Sequence, residues 1–295
     1  MSGGDGGGTN GPVVRPRADV TVDGGGRLVV DVTLPLAATA RPRLLLQPRP
    51  PKGQSKEGAD RWAEETGRVA ALESAGGDRW RAVLEAAPAL EEGRWDAYVL
   101  GAPGEERVPL LPGLRDLRAL VSGAGDGRGA PLAVRIPYAT KDGRLAVRAW
   151  LRVTHAEAGR IDFSGSSMTV TARLFGALLG DGAVASLHRR GRDTAVREIA
   201  LRHEGDRDFA FTVDYRDLPA GGGRAGTGAA PEVWDVYVRP AADARRIRVA
   251  RLLDDVADRK AVFVYPATAL GGVTARPYYT VDNDLAVEVV PTTAG

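Results

Sequence analysis

Two stretches of this chain carry nearly the same phrase: PYATKDGRLAVRAW begins at Pro137, and PYYTVDNDLAVEVV begins at Pro277. The segment GRWDAYVL around Trp95 likewise returns as EVWDVYVR around Trp234, 139 residues later. Matches that keep their order at a nearly constant offset are typical of an internal duplication. The sequence therefore predicts two tandem copies of one domain, over residues 18–152 and 159–292.

Within each copy, short segments alternate apolar and polar residues, as RLVVDVTLP and SMTVTARLF do. A period of two indicates strands with one buried and one solvated face. Gly, Pro and Asp interrupt these segments about every ten residues, which is typical of sandwiches. The predicted fold class is all-β, with two tandem immunoglobulin-like β-sandwiches. Further strands are predicted in RPRLLLQ, DRWRAVLEA, DFAFTVDY, RRIRVARL and AVFVYPA, and one helix in WAEETGRVAALES, which Gly67 interrupts.

Glycine-rich and charged stretches predict the irregular parts of the chain. The N-terminal stretch MSGGDGGGTNGP has no basic region followed by an apolar core, so residues 1–17 are predicted to be a disordered tail, not a signal peptide. Mobile connections are predicted at residues 49–60, 122–131 and 218–232.

Composition narrows the classes of function. The 40 basic and 38 acidic residues give a net charge of +2, without the concentrated basic face of a nucleic-acid-binding protein. The sequence lacks a run of about 18 apolar residues, so no membrane span is expected. The absence of cysteine excludes disulfides and cysteine-bound metals, and it favours the cytoplasm.

Histidine and serine patterns indicate neither a catalytic nor a metal site. The three histidines lack metal-ligand spacing, and no nucleophile elbow or P-loop is present, so no catalytic residue, metal or cofactor is predicted. The run of His188, Arg189 and Arg190 is a candidate site for a phosphate or carboxylate, with a solvated strand end as the alternative. His155 is expected to be exposed at the junction of the copies.

The strand RLAVRAWLR predicts a second candidate site. Alternation places Arg144, Arg148, Trp150 and Arg152 on its outward side. Aromatic and guanidinium groups on a flat strand face suit an acidic glycan or a protein partner. The alternatives are an arginine-rich surface and an interface between the copies, with copy two as the expected cover of Trp150.

The repeated Trp-Asp-x-Tyr segment is interpreted as structural. Trp95 and Trp234 are expected in the core or in cross-strand pairs rather than in a sugar-binding platform. Asp96 and Asp235 are expected on the solvated face or as turn caps, with a metal site in each copy as the alternative.

The repeated Trp-Asp-x-Tyr-Val strand and the Pro-Tyr-x-Thr-x-x-x-x-Leu hairpin resemble the β-sandwich modules attached to actinobacterial cell-envelope and teichoic-acid-type glycosyltransferases. The resemblance covers both copies, carries no active-site residue, and implies an accessory unit without the catalytic domain. The predicted function is a non-catalytic binding or scaffolding protein that serves a glycosyltransferase or another biosynthetic enzyme. The alternatives are a transferase with its site in the cleft between the copies, built from His188, Arg189 or Arg190, and a carbohydrate-binding module acting alone.

Overall fold

The computed structural model describes residues 15–34, 41–50, 53, 55–101, 106–122, 130–192, 195–218, 231–260 and 262–292. The chain separates into two compact units: residues 1–88, 92–117 and 135–149 form the first, and residues 89–91, 118–134 and 150–295 form the second. Most of the predicted tail and most of the connections predicted at 122–131 and 218–232 lie outside the described residues. At the end of the predicted tail, Arg17 already belongs to the first strand.

The described N-terminal half of the chain forms two sheets. The first has the order β5-β6-β2-β1-β9 and the second the order β10-β11-β7-β3-β4, with β8 added on β7. The strands are β1 (Arg17–Val22), β2 (Leu28–Thr33), β3 (Arg43–Pro48), β4 (Arg68–Ala71), β5 (Glu73–Ser74), β6 (Arg79–Leu84), β7 (Gly93–Leu100), β8 (Val108–Pro109), β9 (Leu111–Asp116), β10 (Leu132–Ala139) and β11 (Leu145–Arg152).

The C-terminal half has its own connected strands. One group runs β16-β17-β13-β12-β19, and the other runs β15-β14-β18-β22-β21-β20; β19 pairs with both groups. The strands are β12 (His155–Ser164), β13 (Ser167–Phe175), β14 (Val184–Arg189), β15 (Val196–Ala200), β16 (Arg202–His203), β17 (Asp208–Asp214), β18 (Glu232–Arg239), β19 (Ile247–Ala250), β20 (Thr268–Leu270), β21 (Val273–Tyr279) and β22 (Leu285–Pro291).

The two halves use the same succession of strand pairings. The order β5-β6-β2-β1-β9 corresponds to β16-β17-β13-β12-β19, and each ends in a parallel pair, β1 with β9 and β12 with β19. The order β4-β3-β7-β11-β10 corresponds to β15-β14-β18-β22-β21. The all-β class is thus confirmed, since helices are confined to α1 (Lys56–Thr66), α2 (Arg118–Ser122) and one 3-10 turn (Tyr215–Asp217) in the described ranges.

Alternating apolar side chains from both strand groups meet in one buried cluster in the second unit. Val170 and Phe211 come from one group, and Leu187, Trp234 and Val287 come from the other. The predicted core position of Trp234 is confirmed, and Trp95 is equally buried in the first unit. Two facing layers around one core are how antiparallel sheets bury their apolar sides.

The helix predicted in WAEETGRVAALES is confirmed up to its interruption, since α1 ends at Thr66, before Gly67, and residues 68–71 form β4. Two other sequence-based predictions of local structure are wrong. Residues 262–267 of AVFVYPA form no strand. His155 is buried rather than exposed, and its Nε2 lies 2.7 Å from Glu157 Oε2.

The outward positions predicted in RLAVRAWLR are largely covered, as was expected for Trp150. Arg148 is 8% exposed and Trp150 is 1% exposed, and six consecutive residues of β11 are buried. Exposure does not alternate along a strand when both of its faces are covered. Arg152 is half-buried, and Arg144 precedes β11 in the turn, where it is exposed. These residues therefore do not present an open aromatic and guanidinium surface.

No helix in the described ranges is long and apolar enough to cross a membrane.

Candidate functional site

The basic run predicted as a binding site is divided between two faces of the second unit. His188 and Asp235 lie directly opposite each other in β14 and β18, and Arg189 lies opposite the core residue Trp234. Arg189 pairs with Glu232, whereas Arg190 binds Asp235 on the other face, with Nη2 2.6 Å from Oδ1. The three residues therefore do not converge on one ligand.

The side of β14, β18, β22 and β21 turned away from the core is here called the polar face. Four directly paired residues cross the polar face, one from each strand: His188, Asp235, Ala286 and Tyr278. In an antiparallel sheet, directly paired residues point to the same side. The polar face also carries Ser186, Tyr237, Arg190, Glu288 and Arg276.

Asp235 lies at the centre of an ion-pair network on the polar face. Its carboxylate also meets Arg248, with Nη1 3.0 Å from Oδ2, and the other end of that guanidinium lies 3.3 Å from Asp284 Oδ2. The expectation that Asp235 lies on a solvated face is wrong in one respect, because guanidinium groups cover it and leave it 8% exposed. Asp96 makes the similar contact in the first unit, with Arg49 Nη2 2.6 Å from its Oδ1.

The two carboxylates of this network have opposite pKa shifts. Burial alone would raise the pKa of Asp235, but hydrogen bonds and charge from Arg190 and Arg248 outweigh it and lower that pKa. Burial raises the pKa of Asp284, and the nearby charge of Arg248 does not fully offset it. Its Oδ1 is buried without a hydrogen-bond partner among the described residues.

Replacing Asp235 with asparagine should lower the free energy of unfolding at pH 7 by about 1–3 kcal/mol, because the negative charge and one of the two acceptor oxygens that face the guanidinium groups are lost. Because the folded-state pKa lies below 3.8, the stabilisation by Asp235 is present above pH 3.8 and is lost as the pH falls through the folded-state value. Urea denaturation at pH 7 and pH 3 should therefore show the difference from the parent protein shrinking in acid.

Asp284→Asn is the matched control, since it changes the other carboxylate on Arg248. The ionised form of Asp284 is disfavoured in the folded state, so its loss should change stability at pH 7 by less than about 1 kcal/mol. Equal effects of the two substitutions would contradict the opposite roles assigned to them.

An aromatic groove adjoins the polar face. It is a depression of about 160 Å³ beside β21 and β22. Tyr278 on its wall is half-buried, and burial raises the pKa of its hydroxyl, which therefore stays protonated at neutral pH. The groove is lined by Lys260, Phe263, Val264, Tyr265, Arg276, Pro277, Tyr278 and Glu288.

Residues 262–265, here called the aromatic segment, supply the other wall. Val264 is 75% exposed, while Phe263 and Tyr265 are half-buried against the core cluster. The ring of Tyr265 lies 5.5 Å from Phe163, 6.4 Å from Phe263 and 6.0 Å from Tyr279. Tilted rings at these separations attract one another and hold the segment in a fixed position.

Buried polar groups anchor the aromatic segment from behind. The backbone N–H groups of Val262 and Phe263 donate to Arg259 O at 3.0 and 2.9 Å. The Arg259 guanidinium is fully buried, and its centre lies 5.2 Å from the Phe263 ring and 5.8 Å from the Tyr279 ring. A guanidinium packed near both rings stabilises the position of Phe263 in the wall of the groove.

Two further depressions have lining groups that already serve the fold. One of about 350 Å³ includes Glu157, whose carboxylate accepts hydrogen bonds from the backbone N–H groups of Leu252 and Leu253. The other, of about 340 Å³, includes Asp214, which pairs with Arg216. Within the described ranges, no three His, Asp or Glu side chains are grouped to hold a metal ion.

The sequence interpretation missed the aromatic groove. AVFVYPA has the apolar residues of a buried strand, and nothing in its pattern shows that residues 262–265 leave the sheet. The repeated Pro-Tyr pair was the available signal, because it places Tyr278 on the strand that lines the groove.

Comparisons with known proteins give little further guidance. No protein-family model and no curated protein matches the chain. A crystal structure of S. aureus TarS matches with a TM-score of 0.30 and 13% identity, over 69% of this chain and 36% of that one. A crystal structure of S. aureus TarS 217–571 matches with a TM-score of 0.29 and 13% identity, over 70% of this chain and 58% of that one. The chain thus spans about a third to three fifths of the length of these structures.

Proposed function

We propose that this protein is a non-catalytic binding protein whose second unit holds an acidic glycan in the aromatic groove. The observation that carries the proposal is the combination of three half-buried aromatic side chains with cationic groups around one depression. The C–H faces of a sugar ring are apolar and pack on aromatic rings, while its hydroxyl groups need hydrogen-bonding partners at the rim.

The charges at the rim favour a ligand with a negative group. Lys260 is exposed, and its ammonium group has no carboxylate partner among the described residues. Arg276 is half-exposed, and its Nη2 lies 3.0 Å from Glu288 Oε2, which leaves its other N–H groups for a ligand. A carboxylate or sulfate on a sugar would meet both cations.

The polar groups of the groove are suited to holding a ligand rather than to transferring a proton. The Glu288 carboxylate is paired with a guanidinium, and the Tyr278 hydroxyl stays protonated. General acid–base catalysis requires a group whose pKa lies near the working pH. The proposal therefore assigns binding to the groove, and the alternative of a transferase built on His188, Arg189 and Arg190 is disfavoured because Arg189 and Arg190 are held in ion pairs on different faces.

The remaining sequence-based predictions complete this proposal. The shared pairing order and the repeated motifs support two tandem immunoglobulin-like β-sandwiches, over residues 18–152 and 159–292. The motif resemblance supports an accessory role beside a glycosyltransferase or another biosynthetic enzyme, which would be the protein partner. The cytoplasmic location remains a prediction from the absence of cysteine.

The groove is tested by Tyr278→Ala and Tyr265→Ala on an array of neutral and acidic bacterial glycans. Each substitution should weaken binding of the acidic glycans at least tenfold, because an aromatic wall of the groove is removed, which corresponds to about 1.4 kcal/mol. Affinities measured by titration calorimetry on the glycans selected by the array provide the comparison.

Tyr138→Ala is the matched control, since Tyr138 occupies the same place in the first Pro-Tyr hairpin. It should leave the affinity unchanged. If all three variants bind as the parent protein does, the groove is not the glycan site, and equal losses in all three would place binding elsewhere.

A further inference from the structure

Arg246 is an exposed cation at one end of the polar face. Its guanidinium centre lies 5.0 Å from the ring centre of Tyr237, and its Nη1 lies 3.2 Å from His188 Nδ1. No carboxylate in the described part of the chain forms an ion pair with it. Its charge is therefore not balanced by a neighbouring acid.

The nearby acids are already paired with other cations. Asp235 forms ion pairs with Arg190 and Arg248, and Asp284 forms an ion pair with Arg248. These two carboxylates thus already face Arg190 and Arg248, the charge of Arg152 also acts on Asp284, and the charge of Arg246 remains in excess. Glu198, on the neighbouring strand β15, lies 3.5 Å from Arg239.

The ring of Tyr237 holds the cluster in place. The Arg248 guanidinium lies 4.9 Å from the same ring, and the imidazole of His188 meets it edge-on with 4.9 Å between ring centres. Arg248 Nη1 also donates to Tyr237 Oη at 3.2 Å, and His188 Nε2 lies 3.0 Å from Ser186 Oγ. A guanidinium stacked on a ring loses less freedom when it binds, and its N–H groups point outward in the plane of the fork.

We infer that Arg246, with His188 and Tyr237, forms a binding site for an oxyanion, either a phosphate or a carboxylate. The planar fork of arginine matches two oxygens of such a group, and the exposed N–H groups of Arg246 supply the donors. This site corrects the prediction from the sequence, because Arg189 and Arg190 of the basic run are paired within the fold and only His188 of that run contributes.

The oxyanion site is separate from the aromatic groove but shares its face. His188 on β14 and Tyr278 on β21 stand in direct register with two strands between them, and three strand spacings amount to about 14 Å. If the proposed function holds, a ligand that reaches both places carries a negative group about 14 Å from the ring held in the groove.

The test is a titration of the full chain with sodium phosphate, and separately with sodium acetate, at low ionic strength and pH 7. Binding is followed by two-dimensional NMR and by the arginine side-chain signals. We expect saturable shifts at Arg246 and at residues of β14 and β18, and at least tenfold weaker binding in Arg246→Ala. Arg246→Lys should bind more weakly than the parent protein, since it keeps the charge and loses the fork.

Arg245→Ala is the control, because it removes another exposed positive charge one residue away. An equal loss in Arg245→Ala and Arg246→Ala would mean general electrostatic attraction and would overturn the site. Saturation by neither anion would overturn it as well. Saturation by phosphate alone or by acetate alone would support it and identify the chemical class. Tyr278→Ala should leave these titrations unchanged, so a failure of the groove and a failure of this site give different results.

Discussion

Arg259→Met should lower the free energy of unfolding by about 3–5 kcal/mol, the usual cost of breaking a buried ion pair, since Asp254 then keeps only its 3.2 Å contact with the more exposed Arg251. Arg259 is 0% exposed, and its Nη2 forms a hydrogen-bonded ion pair with the buried carboxylate of Asp254. Its Nε donates to Arg251 O at 2.6 Å. Methionine fills much of the volume but satisfies neither acceptor.

The charge of Arg259 is retained under ordinary conditions. Burial disfavours the charged form and lowers the pKa of the guanidinium to about 10, so the group remains positive at neutral pH. The folded protein sheds this proton at lower pH than the unfolded chain does. The contribution of Arg259 to stability therefore rises with pH between about 10 and 12.5 and is constant near pH 7.

Denaturation in urea at pH 7 measures the loss of unfolding free energy in Arg259→Met, and Arg276→Met is the control. Arg276 also forms one ion pair, but its side chain is 47% exposed, so its loss should cost less than about 1 kcal/mol. The Phe263 ring also loses its guanidinium neighbour in Arg259→Met, and glycan affinity should fall with stability. Similar stabilities of the two variants would show that the Arg259 pair does not stabilise the fold.

Asn283→Ala should be the next largest change, with a loss of about 2–4 kcal/mol. Asn283 lies in the turn between β21 and β22 with φ of 61°, and it is fully buried. Its Oδ1 accepts the backbone N–H of Arg259 at 3.1 Å, and its Nδ2 donates to Val256 O and Ala257 O at 3.4 Å each. Alanine loses these bonds and disfavours the left-handed backbone.

Asn283→Gly separates the two contributions. Glycine adopts a positive φ without strain, so this variant loses the hydrogen bonds alone and should be more stable than the alanine variant by about 1 kcal/mol. Thermal and urea unfolding of the parent protein and of both variants measures the differences in the free energy of unfolding. Equal losses in both variants would show that backbone strain does not contribute, and wild-type stability in both would contradict the role of the side chain.

The strands of the core could be predicted because their pattern has a physical origin. One-sided burial produces the alternation seen in SMTVTARLF, and β13 shows the same alternation of buried and half-buried residues. The alternation around Trp150 was misleading, since β11 is covered on both faces and a sequence read with period two cannot show what covers a strand.

The candidate sites were harder to predict because they depend on pairings between distant residues. The run of His188, Arg189 and Arg190 looks uniformly basic in the sequence, but strand register gives two of these residues carboxylate partners more than 40 positions away. Arg246 gave no signal of its own in the sequence. Its contact with His188 depends on the placement of two residues 58 positions apart.

The lysine at the rim of the groove has a consequence for handling the protein. The chain has four lysines, and Lys260 is exposed beside the aromatic segment. Amine-reactive dyes, biotin esters and coupling to carboxylated sensor surfaces therefore have a reactive group within the groove itself. Because the chain contains no cysteine, a single introduced thiol at an exposed position such as Ser74 would give one attachment point and leave the groove unmodified.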